Sequence, residues 1–148
     1  MARRILLVAN QTATGGHLRD VVRQRLAQGP CSFMLLVPAT EPHGGWTSID
    51  AASYRKEAES RMQEAIAGLR ELGADVAGWV EEGSPTDAIA ALMQKERFHG
   101  HAPFEEIVVS TLPPGASRWL RQDLPHRLAR RYKMPVTHVI GESTPAHA

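Results

Sequence analysis

Glu106-Ile107-Val108-Val109-Ser110 is a short apolar run that ends on a hydroxyl and opens into Thr111-Leu112-Pro113-Pro114-Gly115-Ala116-Ser117. Apolar residues in unbroken succession mark a strand covered on both faces, as parallel strands packed between helices are. Four other runs have the same character: Ile5 to Ala9, Ser32 to Val37, Asp75 to Val80 and Val136 to Ile140. Gly78 interrupts the run that begins at Asp75, and Thr137 and His138 dilute the last one. These two are therefore expected at sheet edges, with the other three in the centre.

The segments between the runs have helical period. Leu18, Val21, Val22 and Leu26 share one face, with Arg19, Arg23 and Gln24 on the other. The longest segment carries Tyr54, Ala58, Met62, Ala65, Ile66 and Leu69 as its apolar stripe, Arg55/Glu59 and Glu57/Arg61 as exposed pairs, and Gly73 as its stop. Ser84 is placed to cap the next helix, with Pro85 at its first position and Asp87 closing a capping box, so that Ile89, Leu92 and Met93 face the core. Leu120, Leu124, Leu128 and Tyr132 form a last stripe, but Pro125 removes a backbone donor inside it. A separate helix capped by Asp123 is the simpler expectation. Alternating strands and helices predict a doubly wound α/β domain with a five-stranded, mainly parallel sheet and about four helices. Residues 1–140 read as a single domain and residues 141–148 as a flexible tail. The loops Pro38 to Ser48 and Arg97 to Phe104 are longer than connections require.

Composition limits the function. The chain has 148 residues, 43% of them hydrophobic, enough for one core. Seventeen Lys and Arg against sixteen Asp and Glu give a charge of +1, so only a local patch could attract nucleic acid or an anionic membrane. A lone Cys31 excludes an internal disulfide, a zinc ribbon and a CxxC redox pair, and reads as an inert, buried thiol. No apolar run approaches the roughly 20 residues of a membrane span, and the run after Met1-Ala2-Arg3-Arg4 is too short for a signal peptide. A soluble, unprocessed, cytoplasmic protein is expected.

Ligands of open parallel sheets bind beyond the carboxyl ends of the strands, at the switch point, here the loops after the first and fourth runs. The first, Asn10-Gln11-Thr12-Ala13-Thr14-Gly15-Gly16-His17, reads either as a flexible turn with a Thr cap or as a ligand contact at a helix start, and it lacks the Walker lysine. The second leads into six basic residues between Gly115 and Lys133 (Arg118, Arg121, Arg127, Arg130, Arg131 and Lys133) against one acid, Asp123. They read as a solvated face in which Arg127 pairs with Asp123, or as an anion site. His99-Gly100-His101 has metal-ligand spacing, but only Glu105 and Glu106 stand near as further ligands, and no metal is expected. No carboxylate cluster of a phosphoacceptor receiver follows the first strand.

The element order, Gly83-Ser84-Pro85 leading into Ala88-Ile89, the strand Ile107-Val108-Val109-Ser110, and the ending Met134-Pro135-Val136-Thr137-His138-Val139 resemble a universal stress protein domain over nearly the whole chain. ATP-binding members carry G-x2-G-x9-G-[ST] after the fourth strand. Anchored on Gly115, that pattern places Leu112, Pro125 and His126 at the other three positions, and the family's aspartate at the end of the first strand is here Asn10. The resemblance therefore implies a binding or regulatory domain of the stress response that does not bind ATP in the family's usual way and has no catalytic residues. It also implies a homodimer through the last strand, Val136, Thr137, His138, Val139 and Ile140. The alternative is an adenine-nucleotide-binding regulator or slow ATPase with a modified phosphate loop. Candidate nucleotide or anion contacts are Asn10, Thr12, Gly83, Ser110, Gly115, Ser117 and Arg118. A nucleic-acid-binding module on the arginines ranks last.

Overall fold

The five apolar runs form the five strands of one parallel sheet in this computed structural model, which describes residues 2–39 and 48–141. In chain order the elements are β1 (Arg3–Val8), α1 (Gly16–Gln28), β2 (Cys31–Ala39), α2 (Ser48–Glu71), β3 (Asp75–Glu82), α3 (Pro85–Phe98), β4 (Glu106–Thr111), α4 (Arg118–Arg121), α5 (Leu124–Tyr132) and β5 (Val136–Ile140). The sheet order is β3-β2-β1-β4-β5, so β3 and β5 are the edges, as Gly78 and His138 suggested. Arg3 pairs with Cys31, Ile5 with Glu106 and Ile107 with Val136. The chain starts in the middle, winds outward through β2 to β3, then crosses back to lay β4 and β5 on the other side of β1. The direction of winding reverses between β1 and β4.

The central strands are apolar throughout because both faces are covered. Ile5 and Leu7 pack with Leu18 and Val22 of α1 and Ala58, Ala65 and Leu69 of α2. Their neighbours Leu6 and Val8 pack on the opposite face with Ile89 and Leu92 of α3 and Leu124 and Leu128 of α5. All four β1 residues are fully buried, which gives the sheet its two cores.

Gly78 owes its place to packing rather than to a thin edge. A Cβ there would meet Ile66 Cδ1 and lie 2.7 Å from Met62 Sδ, so the missing side chain lets α2 settle on β3.

Several local expectations are corrected. The N-cap of α1 is Gly15, with no side-chain cap, because Thr12 is turned inward and buried. Asp123 sits at the start of α5 in the left-handed region (φ 54°) and gives no side-chain cap; its carboxylate meets His126 Nδ1 at 2.7 Å instead of Arg127. A four-residue α4, capped by Ser117 Oγ accepting from the Leu120 N–H at 3.1 Å, precedes α5 and makes five helices among the described residues. Tyr54 is 40% exposed, so the α2 stripe leaves the core at its amino end. Arg55 does pair with Glu59, but Arg61 turns away from Glu57 to Asn10. Ser84 caps α3 as expected, accepting from the Asp87 N–H at 3.2 Å.

The second long loop is anchored. Arg4 donates to the Ala102 carbonyl and to Glu96 Oε1, lies over the Phe104 ring, and His101 meets the same Glu96 carboxylate. Most of the loop from Pro38 to Ser48, and all but Gly141 of the tail, lie outside the described residues. Among the described residues no helix is long and apolar enough to cross a membrane.

Candidate functional site

A cleft of about 350 Å³ opens at the carboxyl ends of β1 and β4, where the winding reverses. Side-by-side parallel strands whose chains leave in opposite directions cannot both be covered there by their own loops, and the gap between those loops is the cleft. Asn10, Gln11 and Thr12 line it from β1, and Ser110, Thr111 and Leu112 from β4. Ser84 and Pro85 come from the start of α3, Ser117, Arg118, Trp119 and Gln122 from the α4 turn, and Tyr54 and Arg61 from α2. Leu112 stands in the wall and leaves the cleft open.

Five of the seven sequence candidates meet here: Asn10, Thr12, Ser110, Ser117 and Arg118. Gly83 and Gly115 do not line the cleft. Each holds a positive φ, 109° and 94°, and turns the chain so that its successors Ser84 and Ala116 face the space. Pro125 and His126, at the last two positions of the ATP pattern, lie on α5 and outside the lining.

The floor is a hydroxyl pair. Thr12 Oγ1 and Ser110 Oγ are 2.5 Å apart and both side chains are buried. Gly141 seals them from behind: its N–H donates to the Thr111 carbonyl at 2.8 Å, and a Cβ on it would stand 2.8 Å from Thr12 Cβ. Ser117 Oγ and Ser84 Oγ each accept a helix-capping bond, which leaves their O–H groups to donate. Asn10 Nδ2 donates to the Pro38 carbonyl at 2.8 Å, so its Oδ1 is turned to accept from Arg61 Nη1.

The sequence candidates did not include Arg61. A signal was present: residues 54, 58, 61 and 65 share one helical face, so Arg61 belongs to the inward side of α2 rather than to a solvent pair with Glu57. Among the described residues the cleft is lined by two guanidinium groups, several hydroxyls and no carboxylate. It offers hydrogen-bond donors and positive charge, the chemistry of an anion site. It presents no described acid or base that would hold a metal ion or activate water.

The buried acids lie elsewhere. Glu106, at the amino end of β4, accepts from Arg25 Nε and Nη2 at 2.8 and 2.7 Å and from Thr137 Oγ1 at 2.6 Å, with Arg3 at 3.4 Å. Burial pushes this carboxyl up, but the bonds from Arg25 and Thr137 and the charges of Arg25 and Arg3 outweigh it and hold the group below the usual carboxylate range. It ties α1, β4 and β5 together, so the Glu106 carboxylate is committed to the scaffold.

A doubly wound α/β domain with a donor-lined cleft at its switch point defines the class of this protein. Its fold is that of the universal stress proteins. The fold matches the crystal structure of a universal stress protein family member from Burkholderia pseudomallei with a TM-score of 0.63 at 18% identity, over 91% of this chain and 93% of that one. A universal stress protein in complex with cAMP matches with a TM-score of 0.58 at 16% identity, over 95% and 98%. An Arabidopsis thaliana universal stress protein family protein with AMP bound matches with a TM-score of 0.54 at 12% identity, over 99% and 95%. By sequence, no protein-family model and no curated protein matches the chain.

Proposed function

We propose that this chain is a universal-stress-protein-like binding domain of the cytoplasm whose cleft takes a small phosphorylated ligand of the adenine mononucleotide class, and which regulates without catalysing. The observation that carries this reading is the cleft between β1 and β4, lined by Ser84, Ser117, Arg61 and Arg118 and by no described carboxylate. Similar folds hold cAMP and AMP, which supports the adenine mononucleotide class. Mg-ATP fits less well: Leu112 replaces the first glycine of the family's phosphate loop, and Pro125 and His126 stand outside the cleft. The protein acts as a homodimer through the open edge of β5, where Ile140 is 44% exposed.

Calorimetric and thermal-shift titrations with AMP, cAMP, ADP and Mg-ATP test this reading. Saturable binding of AMP or cAMP, with Mg-ATP no tighter and no phosphate released, is the expected result. Silence at millimolar nucleotide defeats the ligand assignment, and release of phosphate from ATP defeats the non-catalytic one.

A further inference from the structure

Arg61 is a half-buried cation in the cleft wall whose hydrogen-bond partner is a neutral amide oxygen, Oδ1 of Asn10. Glu57 and Glu64 share its helix, yet the ion pairs of α2 run through Arg55, to Glu59 and Glu82, and none reaches Arg61 among the described residues. A guanidinium carries five N–H donors in a rigid fork and keeps its charge at any ordinary pH, so the one amide contact it makes among the described residues leaves charge and donors for a ligand. Withdrawing such a group partly from water without an anion is unfavourable, and an incoming anion removes that penalty.

Asn10 makes the arrangement specific. Its Nδ2 is held by the Pro38 carbonyl at 2.8 Å, which points Oδ1 at Arg61 and aims the guanidinium at the β1 end of the cleft. An aspartate here would neutralise Arg61; the amide orients it and leaves the charge for a ligand.

We infer that Arg61, oriented by Asn10, is the specificity-determining residue of the cleft and selects a ligand that places a phosphate group at the β1 end, held from α2 rather than by a glycine loop after β4. This rests on the cleft being the binding site, as proposed above. Arg–phosphate contacts are charge-assisted and frequently bidentate, so the guanidinium discriminates a phosphate monoester from its neutral parent.

The test uses inorganic phosphate, AMP and adenosine as probes on the full chain and on Arg61→Gln, Arg61→Lys and Asn10→Asp. In the wild type, inorganic phosphate shifts the Arg61 Nε–H resonance saturably; the resonance is assigned by its loss in Arg61→Gln and in Arg61→Lys. AMP binding weakens about tenfold or more in Arg61→Gln and in Asn10→Asp, by about the strength of one charged hydrogen bond, whereas Arg61→Lys retains part of it. Adenosine binding stays unchanged in Arg61→Gln. An Arg61 resonance unmoved by phosphate and AMP overturns the inference, as does an AMP-to-adenosine ratio that survives Arg61→Gln. If phosphate moves Arg61 while AMP and adenosine fail to bind, the anion site stands and the adenine assignment falls. If AMP binds and Arg61 is indifferent to it, the reverse holds. The wild-type resonance and Arg61→Lys keep the test decisive should Arg61→Gln fold poorly.

Discussion

Thr12 Oγ1 lies 2.5 Å from Ser110 Oγ, and this contact joins the loop after β1 to the end of β4 directly beneath the cleft. Both residues are at most 2% exposed, so each hydroxyl relies on the other as its partner. Thr12→Val leaves Ser110 unsatisfied and lowers stability by about 1–3 kcal/mol, and Ser110→Ala acts alike on Thr12. The double variant loses less than the sum of the two, because it leaves no orphan. Urea unfolding of the four proteins measures that coupling.

Gly78 is the point where α2 meets the β3 edge. Gly78→Val drives two methyl groups and a Cβ toward Met62 and Ile66, which are 8% and 5% exposed and have little space to move into. The expected loss is about 1–3 kcal/mol, read from the denaturation midpoint, and Ile66→Val in the same chain restores part of it. A Gly78→Val protein as stable as the wild type would contradict this close packing of α2 on β3.

Glu106 gives the fold an acid limit. Its carboxyl titrates lower in the folded protein than in the unfolded chain, because the bonds from Arg25 and Thr137 outweigh burial. The stabilisation it provides is therefore complete above the unfolded value, about 4.3, and drains away as pH falls through the lower folded one. Glu106→Gln leaves Arg25 without its partner and lowers stability at pH 7 by about 3–5 kcal/mol. Below about pH 4 the gap between variant and wild type narrows, and denaturant midpoints measured from pH 3 to 7 check this convergence.

The open β5 edge is the proposed dimer interface. Wild-type protein is expected to sediment as a dimer at micromolar concentration, and Ile140→Lys, which sets a charge on the exposed edge, to sediment as a monomer with an unchanged circular dichroism spectrum. A wild type that stays monomeric well into the micromolar range removes the proposed interface.

The sequence by itself determined the five strands, their parallel covering and the two edges, because burial on both faces is written into a strand as uninterrupted apolar residues. It also placed the switch point, since the loops after β1 and β4 follow from strand order, and it brought Asn10, Thr12, Ser110, Ser117 and Arg118 to one cleft. Only the tertiary structure decided what those residues do there. Thr12 and Ser110 spend their hydroxyls on each other, Asn10 is pinned by Pro38, and Arg61 crosses from α2 to Asn10 in the cleft wall. These contacts span 98, 28 and 51 residues, and no local periodicity encodes which distant partner a polar side chain finds. Glu106 shows the same division. In the sequence it stands at the head of an apolar run as a carboxylate near His99 and His101, yet the register of β4 beside β1 and β5 sets it against Arg25, Thr137 and Arg3. Hydrophobic burial is additive along the chain and therefore legible, whereas a polar pairing exists only once the sheet has brought its two ends together.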